Sequence, residues 1–279
     1  MRALPLWALL LAACATTSEK TKDEKSAAQT SAAAKGGKPA QAEREGVFVD
    51  RSTESHGDTR PVPKATDEEI AEFNRIWELF RRNDAGWARE RDRYKRRSDA
   101  AGYLLAGHMI RFYMQANMQR DTAAKAVTRA KDEIVAVGAP CAPALIDLMI
   151  LDRIPMKDGR HFIPDDITRQ DCLDMLERMG SPAAPELLRA LARPDLGIKS
   201  RRLVALALGG TKDPRAFEPL VELLAKNPSW QVRADAATAL GKLGDKRAIE
   251  PLAAAVKSDK DSAVVKRAGK ARDQLAKAP

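Results

Sequence analysis

The residues best suited to acid–base or metal chemistry lie in one stretch, DRIPMKDGRHFIPDD, at positions 152–166. It contains Asp158, His161, Asp165 and Asp166, and carboxylates beside an imidazole can transfer protons or bind a divalent metal. No second histidine and no cysteine pair stands at a metal-binding spacing. The sequence therefore favours a solvated loop in which Asp165 and Asp166 cap the next helix. This loop is also a candidate recognition element, with Asp158 and His161 as contact residues.

Signatures of other chemistries are absent from the sequence. It has no glycine-rich phosphate loop, no Gly-x-Ser-x-Gly nucleophile turn and no His-Glu-x-x-His zinc motif. We therefore expect no catalytic residues, no bound metal and no cofactor.

Two cysteines, Cys141 and Cys172, occupy apolar positions that would flank one helical hairpin. In an antiparallel hairpin Ile146 would lie opposite Cys172, which offsets the two cysteines by about 7 Å or more at the rise of an α-helix. A disulfide needs Cα atoms within about 7 Å of each other. The sequence favours two buried thiols and leaves a disulfide open.

Basic residues recur at a fixed interval. Arg169, Arg201 and Arg233 are 32 residues apart, and Lys266 follows 33 residues later. Such a ladder could bind an acidic ligand. Repetition in one register is more typical of residues that hold the stacking of repeats, each pairing with an aspartate or a carbonyl at the adjacent turn.

The elements that position these residues are helices. Alanine and leucine dominate, aromatic residues make up 5% of the chain, and strand alternation is absent, so an all-α fold is predicted. Proline is tolerated in the first turn of a helix. It marks four first helices, at Pro143, Pro185, Pro219 and Pro251. Partner helices are predicted at 121–137, 167–179, 199–209, 229–243 and 261–276, and glycines are expected to end several of them, at Gly138, Gly180, Gly209 and Gly244.

The most regular stretch, WQVRADAATALGKLGDKRAIEPLAAAV at 230–256, resembles HEAT repeats of the short bacterial type named after phycobilin lyases. The resemblance extends over roughly 121–276. It implies an α-solenoid of helical hairpins, with first helices outside and second helices lining the concave face. The candidate partner-binding residues on that face are Lys199, Arg202, Asp235, Thr238 and Lys242.

Residues 66–120 are predicted to form an N-terminal helical cap on this repeat domain, which spans 121–279. Thr66 and Glu69 fit a capping box, and Ile70, Phe73, Trp77 and Phe80 share a helical face. The run 81–97 has eight basic and three acidic residues. It would contact anions or, as we favour, form a solvated face whose arginine stems cover apolar surface.

The pattern of the N-terminal residues predicts a targeting segment. A short apolar run ends in Leu11-Ala12-Ala13-Cys14, which resembles the lipobox of bacterial lipoproteins. The resemblance implies a signal peptide at 1–13, lipid attachment to Cys14, and, with Ala15 next, the periplasmic side of the outer membrane rather than the inner membrane. Residues 14–65 are polar and are predicted to form a disordered tether.

The net charge of +9 favours acidic partners, nucleic acid or anionic membranes. In a cell envelope nucleic acid is not expected. The sequence thus predicts a monomeric, non-catalytic, lipid-anchored scaffold that binds a protein or another acidic macromolecule. Alternatives left open are a lyase or chaperone-like protein acting on a prosthetic group, and a purely structural spacer.

Overall fold

The computed structural model describes residues 66–82, 84–94, 100–117, 119–155 and 161–278. The predicted signal peptide, Cys14, the tether and Asp158 lie outside these residues. All described residues belong to one compact unit of the chain.

The fold is all-α, as predicted: the described chain consists of helices packed in a row, with one short β-ribbon. The helices and strands are α1 Asp67–Arg81, α2 Gly86–Tyr94, α3 Ala100–Asn117, α4 Arg120–Val137, α5 Ala142–Ile150, β1 Ile154–Pro155, β2 His161–Phe162, α6 Asp166–Met179, α7 Ala184–Leu191, α8 Ile198–Gly210, α9 Phe217–Lys226, α10 Trp230–Leu243, α11 Ile249–Ser258 and α12 Ser262–Lys277.

The second helices of the hairpins, α6, α8, α10 and α12, begin in strict register. Their N-cap residues are Asp165, Gly197, Ser229 and Asp261, each 32 residues after the previous one. Each packs on the second helix before it, so together they form a continuous inner layer. The first helices α5, α7, α9 and α11 form the other layer.

Close approach within the inner layer depends on small residues. A Cβ at Gly209 would lie 2.4 Å from the backbone oxygen of Ala239, and one at Gly241 would lie 2.9 Å from the Cβ of Ala271. These two contacts are again one repeat apart. The prediction that Gly209 ends a helix is therefore wrong, because α8 continues to Gly210 and the glycine serves helix packing. Gly138, Gly180 and Gly244 do end helices, with φ values of 82°, 68° and 82°.

Each first helix is preceded by a 3₁₀ turn. The marker prolines follow in the first turn of the α-helix, where no intrahelical donor is lost. In the two C-terminal repeats Asp213 and Asp245 cap these turns by accepting from the backbone N–H of Arg215 and Arg247. Arg247 also lies over the ring of Phe217 in the preceding repeat, 4.2 Å from its centroid.

The cap packs through aromatic rings. Phe80 contacts Trp77, Trp87 and Phe112 with centroid distances of 4.9, 5.0 and 5.1 Å. The predicted apolar face was partly wrong: Ile70, in the first turn of α1, is 40% exposed, whereas Ile76 is fully buried. Ile76 and Phe80 lie one turn apart and share the face that is covered.

The insertion between α5 and α6 contains an antiparallel ribbon in which Ile154 pairs with Phe162 and Pro155 with His161. The sequence reading predicted only a loop here. Among the described helices none is by itself long and apolar enough to cross a bilayer; the bent pair formed by 123–137 and 139–150 passes that test only jointly.

Candidate partner-binding surface

The ladder arginines sit four residues after the N-caps and bind the chain ends of the first helices. Arg201 donates to the backbone oxygens of Leu191, Arg193 and Leu196 at 3.0–3.2 Å. These oxygens lie at or just beyond the end of α7, where carbonyls lack intrahelical donors. Arg201 thus ties the two helices of its hairpin together.

Arg169 and Arg233 make the same kind of contact. Arg169 donates to the backbone oxygen of Met149 at 2.7 Å and to Asp152 at 3.2 Å. Arg233 donates to the backbone oxygen of Asn227 at 3.0 Å and, with two nitrogens, to Asp259 at 2.7 and 2.9 Å. Arg169 and Arg201 therefore pair within their own hairpins, and of the three arginines Arg233 alone also reaches the next repeat, through Asp259. These contacts occupy the guanidinium groups.

Lys266 does not continue the ladder. The N-cap of α12 is Asp261, so the fourth residue after it is Val265. Lys266 is one position further on and is exposed. The physical reason is the strict register of the helices, which a 33-residue step would break.

Within the inner layer, Asp235 links three repeats. Its carboxylate accepts from Nε of Arg202 on α8 at 2.6 Å and pairs with the guanidinium of Arg267 on α12. The Asp235 side chain is 3% exposed, against 35% for Arg202 and 44% for Arg267. The sequence placed Asp235 among residues that touch a partner; it lies beneath the two arginines instead, because their guanidinium groups cover it.

The other candidates on this face vary in their contacts. Lys242 donates to Oε1 of Glu177 at 2.5 Å, and the hydroxyl of Thr238 donates to the backbone oxygen of Ala234 at 3.2 Å. Lys199 is 62% exposed and lies 3.7 Å from Asp166, a distance and exposure that make a weak pair. Arg202 and Lys199 are therefore the candidates most open to a ligand.

The two helix layers of the C-terminal repeats differ in net charge. The second helices α8, α10 and α12 carry ten lysines and arginines and two acidic residues. The first helices α9 and α11 carry two lysines and three glutamates. The basic surplus of this region is thus concentrated in the inner layer.

The candidate residues described within the stretch 152–166 have different places in the structure. Asp165 caps α6, accepting from the backbone N–H of Thr168 at 2.7 Å and from its hydroxyl at 2.6 Å, as predicted. Asp166 is exposed at the start of α6, and His161 lies in β2. Within the described residues no group of three histidine, cysteine or acidic side chains is placed to hold a metal ion.

Cys141 and Cys172 are free thiols, and both are completely buried. Burial raises the pKa of each thiol well above its ordinary value, because a thiolate would lose its hydration. They serve as small apolar side chains of the core.

Part of the basic run of the cap contacts carboxylates of the protein itself. Arg91 donates to Glu133 on α4 at 3.0 Å, and Nε1 of Trp87 donates to the same carboxylate oxygen at 2.7 Å. Arg93 donates to Glu90 at 2.9 Å. Where the structure describes this run, two of its arginines therefore hold neighbouring carboxylates of the protein.

A family model matches part of the array of stacked hairpins. Residues 197–271 match the family model of HEAT repeats. The match covers α8 to α12, the most regular part of the array, and supports HEAT-like repeats as the unit of the fold. HEAT repeats generally form scaffolds for protein–protein interaction, and such solenoids are usually non-catalytic. No curated protein matches the chain.

Sequence reasoning missed Arg267 in this HEAT-like surface. The signal that could have found it is its spacing: Arg267 lies 32 residues after Asp235, so helical register places the two at the same position of adjacent second helices. Choosing Lys266 as the ladder residue concealed this relation.

Proposed function

We propose that this protein is a non-catalytic scaffold, anchored by lipid in a bacterial cell envelope, that binds an acidic protein on its second-helix layer. The observation that carries the proposal is the charge of that layer in the HEAT-like repeats, where basic residues outnumber acidic ones ten to two. Such a surface attracts acidic partners. A rigid array also loses little entropy on binding.

Anchoring rests on Leu11-Ala12-Ala13-Cys14. Acyl chains on Cys14 would hold the protein at the periplasmic side of the outer membrane, and the rest of the tether, residues 15–65, would link the anchor to the helical cap. Labelled palmitate should enter the wild-type chain and not Cys14→Ser when both are expressed in a bacterium. Equal labelling of the two chains would refute the anchor.

Partner binding can be tested by capture from envelope extracts on the Cys14→Ser chain. Reversing Lys199 and Lys270 to glutamate removes charge from the second-helix layer without exposing a buried group, since Lys199 has only its weak pair with Asp166. Lys246→Glu with Lys257→Glu, in the 3₁₀ turn before the first helix α11 and in its last turn, reverses the same number of charges and is the matched control. A partner lost from the first variant and kept by the control supports the proposal.

A partner kept by both variants would place binding elsewhere. A chromophore or metal that copurifies with the protein would favour the prosthetic-group alternative. Circular dichroism of each variant checks that the helices are intact.

A further inference from the structure

The cluster formed by Arg202, Asp235 and Arg267 is built so that one buried carboxylate holds two cations from helices on either side of it. Asp235 is 3% exposed, and both partners reach it across a repeat boundary. One negative charge between two positive ones leaves the cluster with a net positive charge. Each of its two guanidinium groups is held to the Asp235 carboxylate by one hydrogen bond.

Most donors of the two arginines remain unused. A guanidinium has five N–H donors; Asp235 engages Nε of Arg202 and one terminal nitrogen of Arg267. Within the described part of the chain neither group has another hydrogen-bond partner. Their side chains are 35% and 44% exposed, so the remaining donors are open to a ligand.

The surroundings of the cluster favour an anion. Lys270 lies one turn after Arg267 on α12 and is exposed, as is Lys266. The half-buried side chains of Leu203 and Leu206 lie on α8 near Arg202. Planar guanidinium forks match carboxylates better than a flexible ammonium does.

From this arrangement we infer that Arg202 and Arg267 form a carboxylate-binding site for an Asp- or Glu-containing segment of a partner protein. The inference rests on the proposed scaffold function and specifies which side chains of the partner protein are recognised. An extended peptide can follow the inner layer and place a carboxylate on the paired guanidiniums. A flat membrane surface fits this layer poorly, because Glu177 and Lys242 of non-adjacent helices come within ion-pair distance there, as they would on a concave face.

The test uses fluorescence anisotropy of a labelled peptide of alternating glutamate and leucine with the Cys14→Ser chain. Arg202→Lys with Arg267→Lys keeps the charge and removes the forks. We expect this variant to bind about tenfold more weakly, the order of one charge-assisted hydrogen bond. Lys246→Gln with Lys257→Gln, away from the inner layer, is the control and should bind like the parent chain.

Because losing both guanidiniums would leave Asp235 buried without a partner, a second variant combines Arg202→Gln, Asp235→Asn and Arg267→Gln. It should also lose peptide binding while staying helical. Unchanged peptide binding in the lysine variant would overturn the fork site. A short DNA duplex or phosphatidylglycerol vesicles that displace the peptide, and themselves bind more tightly, would overturn the choice of peptide.

The two proposals can fail separately. If the envelope partner depends on Lys199 and Lys270 but the probe peptide ignores Arg202 and Arg267, the scaffold proposal stands and the carboxylate site is wrong. If neither the partner nor the peptide responds to these variants, both proposals fail.

Discussion

Glu177 and Lys242 form an ion pair at 2.5 Å although a whole helix, α8, lies between the helices that carry them. The pair passes over Gly210, where a Cβ would lie 2.3 Å from Cγ of Glu177. Because Gly210 has no side chain, Glu177 can extend across α8 to Lys242. The pair joins repeats that are not neighbours.

We expect this pair to couple distant repeats. Its members are 25% and 38% exposed, so screening by solvent limits the coupling to about 0.5–1 kcal/mol. A double-mutant cycle with Glu177→Gln and Lys242→Met, measured by urea unfolding, gives this coupling energy. The exposed pair of Glu222 and Lys226 within α9 serves as a control, and a larger coupling there would contradict the prediction.

Gly209→Ala should destabilise the array strongly. The new Cβ would meet backbone atoms of Ala239 at 2.4–2.7 Å, and backbone cannot rotate away, so α8 and α10 must separate. Overpacking of this kind costs about 1–3 kcal/mol. Gly269→Ala is the matched control: its Cβ would make an ordinary contact of 3.9 Å with Val256, and better helix propensity should raise stability by up to about 1 kcal/mol. Equal urea midpoints for the two variants would refute the close approach.

Arg201→Met should lower the free energy of unfolding by about 1–3 kcal/mol, because three backbone carbonyls lose a charged donor. Lys266→Met, at the position first grouped with the ladder, should change it by less than about 0.5 kcal/mol, as is usual for exposed surface positions. Thermal or urea unfolding measures both. A ladder role for Lys266 would show as a loss comparable to that of Arg201→Met.

Acid should loosen the C-terminal repeats in a defined pH window. Hydrogen bonds from Arg233 hold the pKa of Asp259 below its ordinary value, and Arg215 and Arg247 do the same for Asp213 and Asp245. A lowered folded-state pKa gives stability that is complete above the unfolded pKa, near 3.9, and is lost as the pH falls through the folded pKa. The melting temperature should therefore hold steady from pH 7 to about 5 and fall below about 4. The Asp259→Asn variant should have a lower melting temperature than the parent chain at pH 7, and its melting temperature should fall less on acidification. If the melting temperatures of the two chains fall in parallel, Asp259 does not contribute to the pH dependence.

The fold was largely predictable because proline, glycine and apolar spacing are local signals. The four marker prolines and three of four helix-ending glycines were placed correctly. Gly209 was misread because a glycine at a helix end and a glycine under a crossing helix look alike in sequence. The ribbon of Ile154–Pro155 and His161–Phe162 was missed because two-residue strands leave no alternation to detect.

The candidate surface was less predictable, because it depends on which side chains meet between helices. Lys199 and Arg202 were placed on the second-helix layer, but the burial of Asp235 follows from guanidinium groups that come from α8 and α12. Only the register of three helices brings Arg267 to Asp235. A one-residue error at Lys266 was enough to hide that pairing.

The recurring glycine contact has a consequence for how such a chain can grow. Helix α10 carries both halves of the contact: Ala239 receives Gly209 from the preceding helix, and Gly241 receives Ala271 from the following one. A duplicate of residues 229–260, inserted after its original, would therefore find a matching surface on both sides. The array can therefore gain or lose one 32-residue unit without forming a new kind of helix–helix interface.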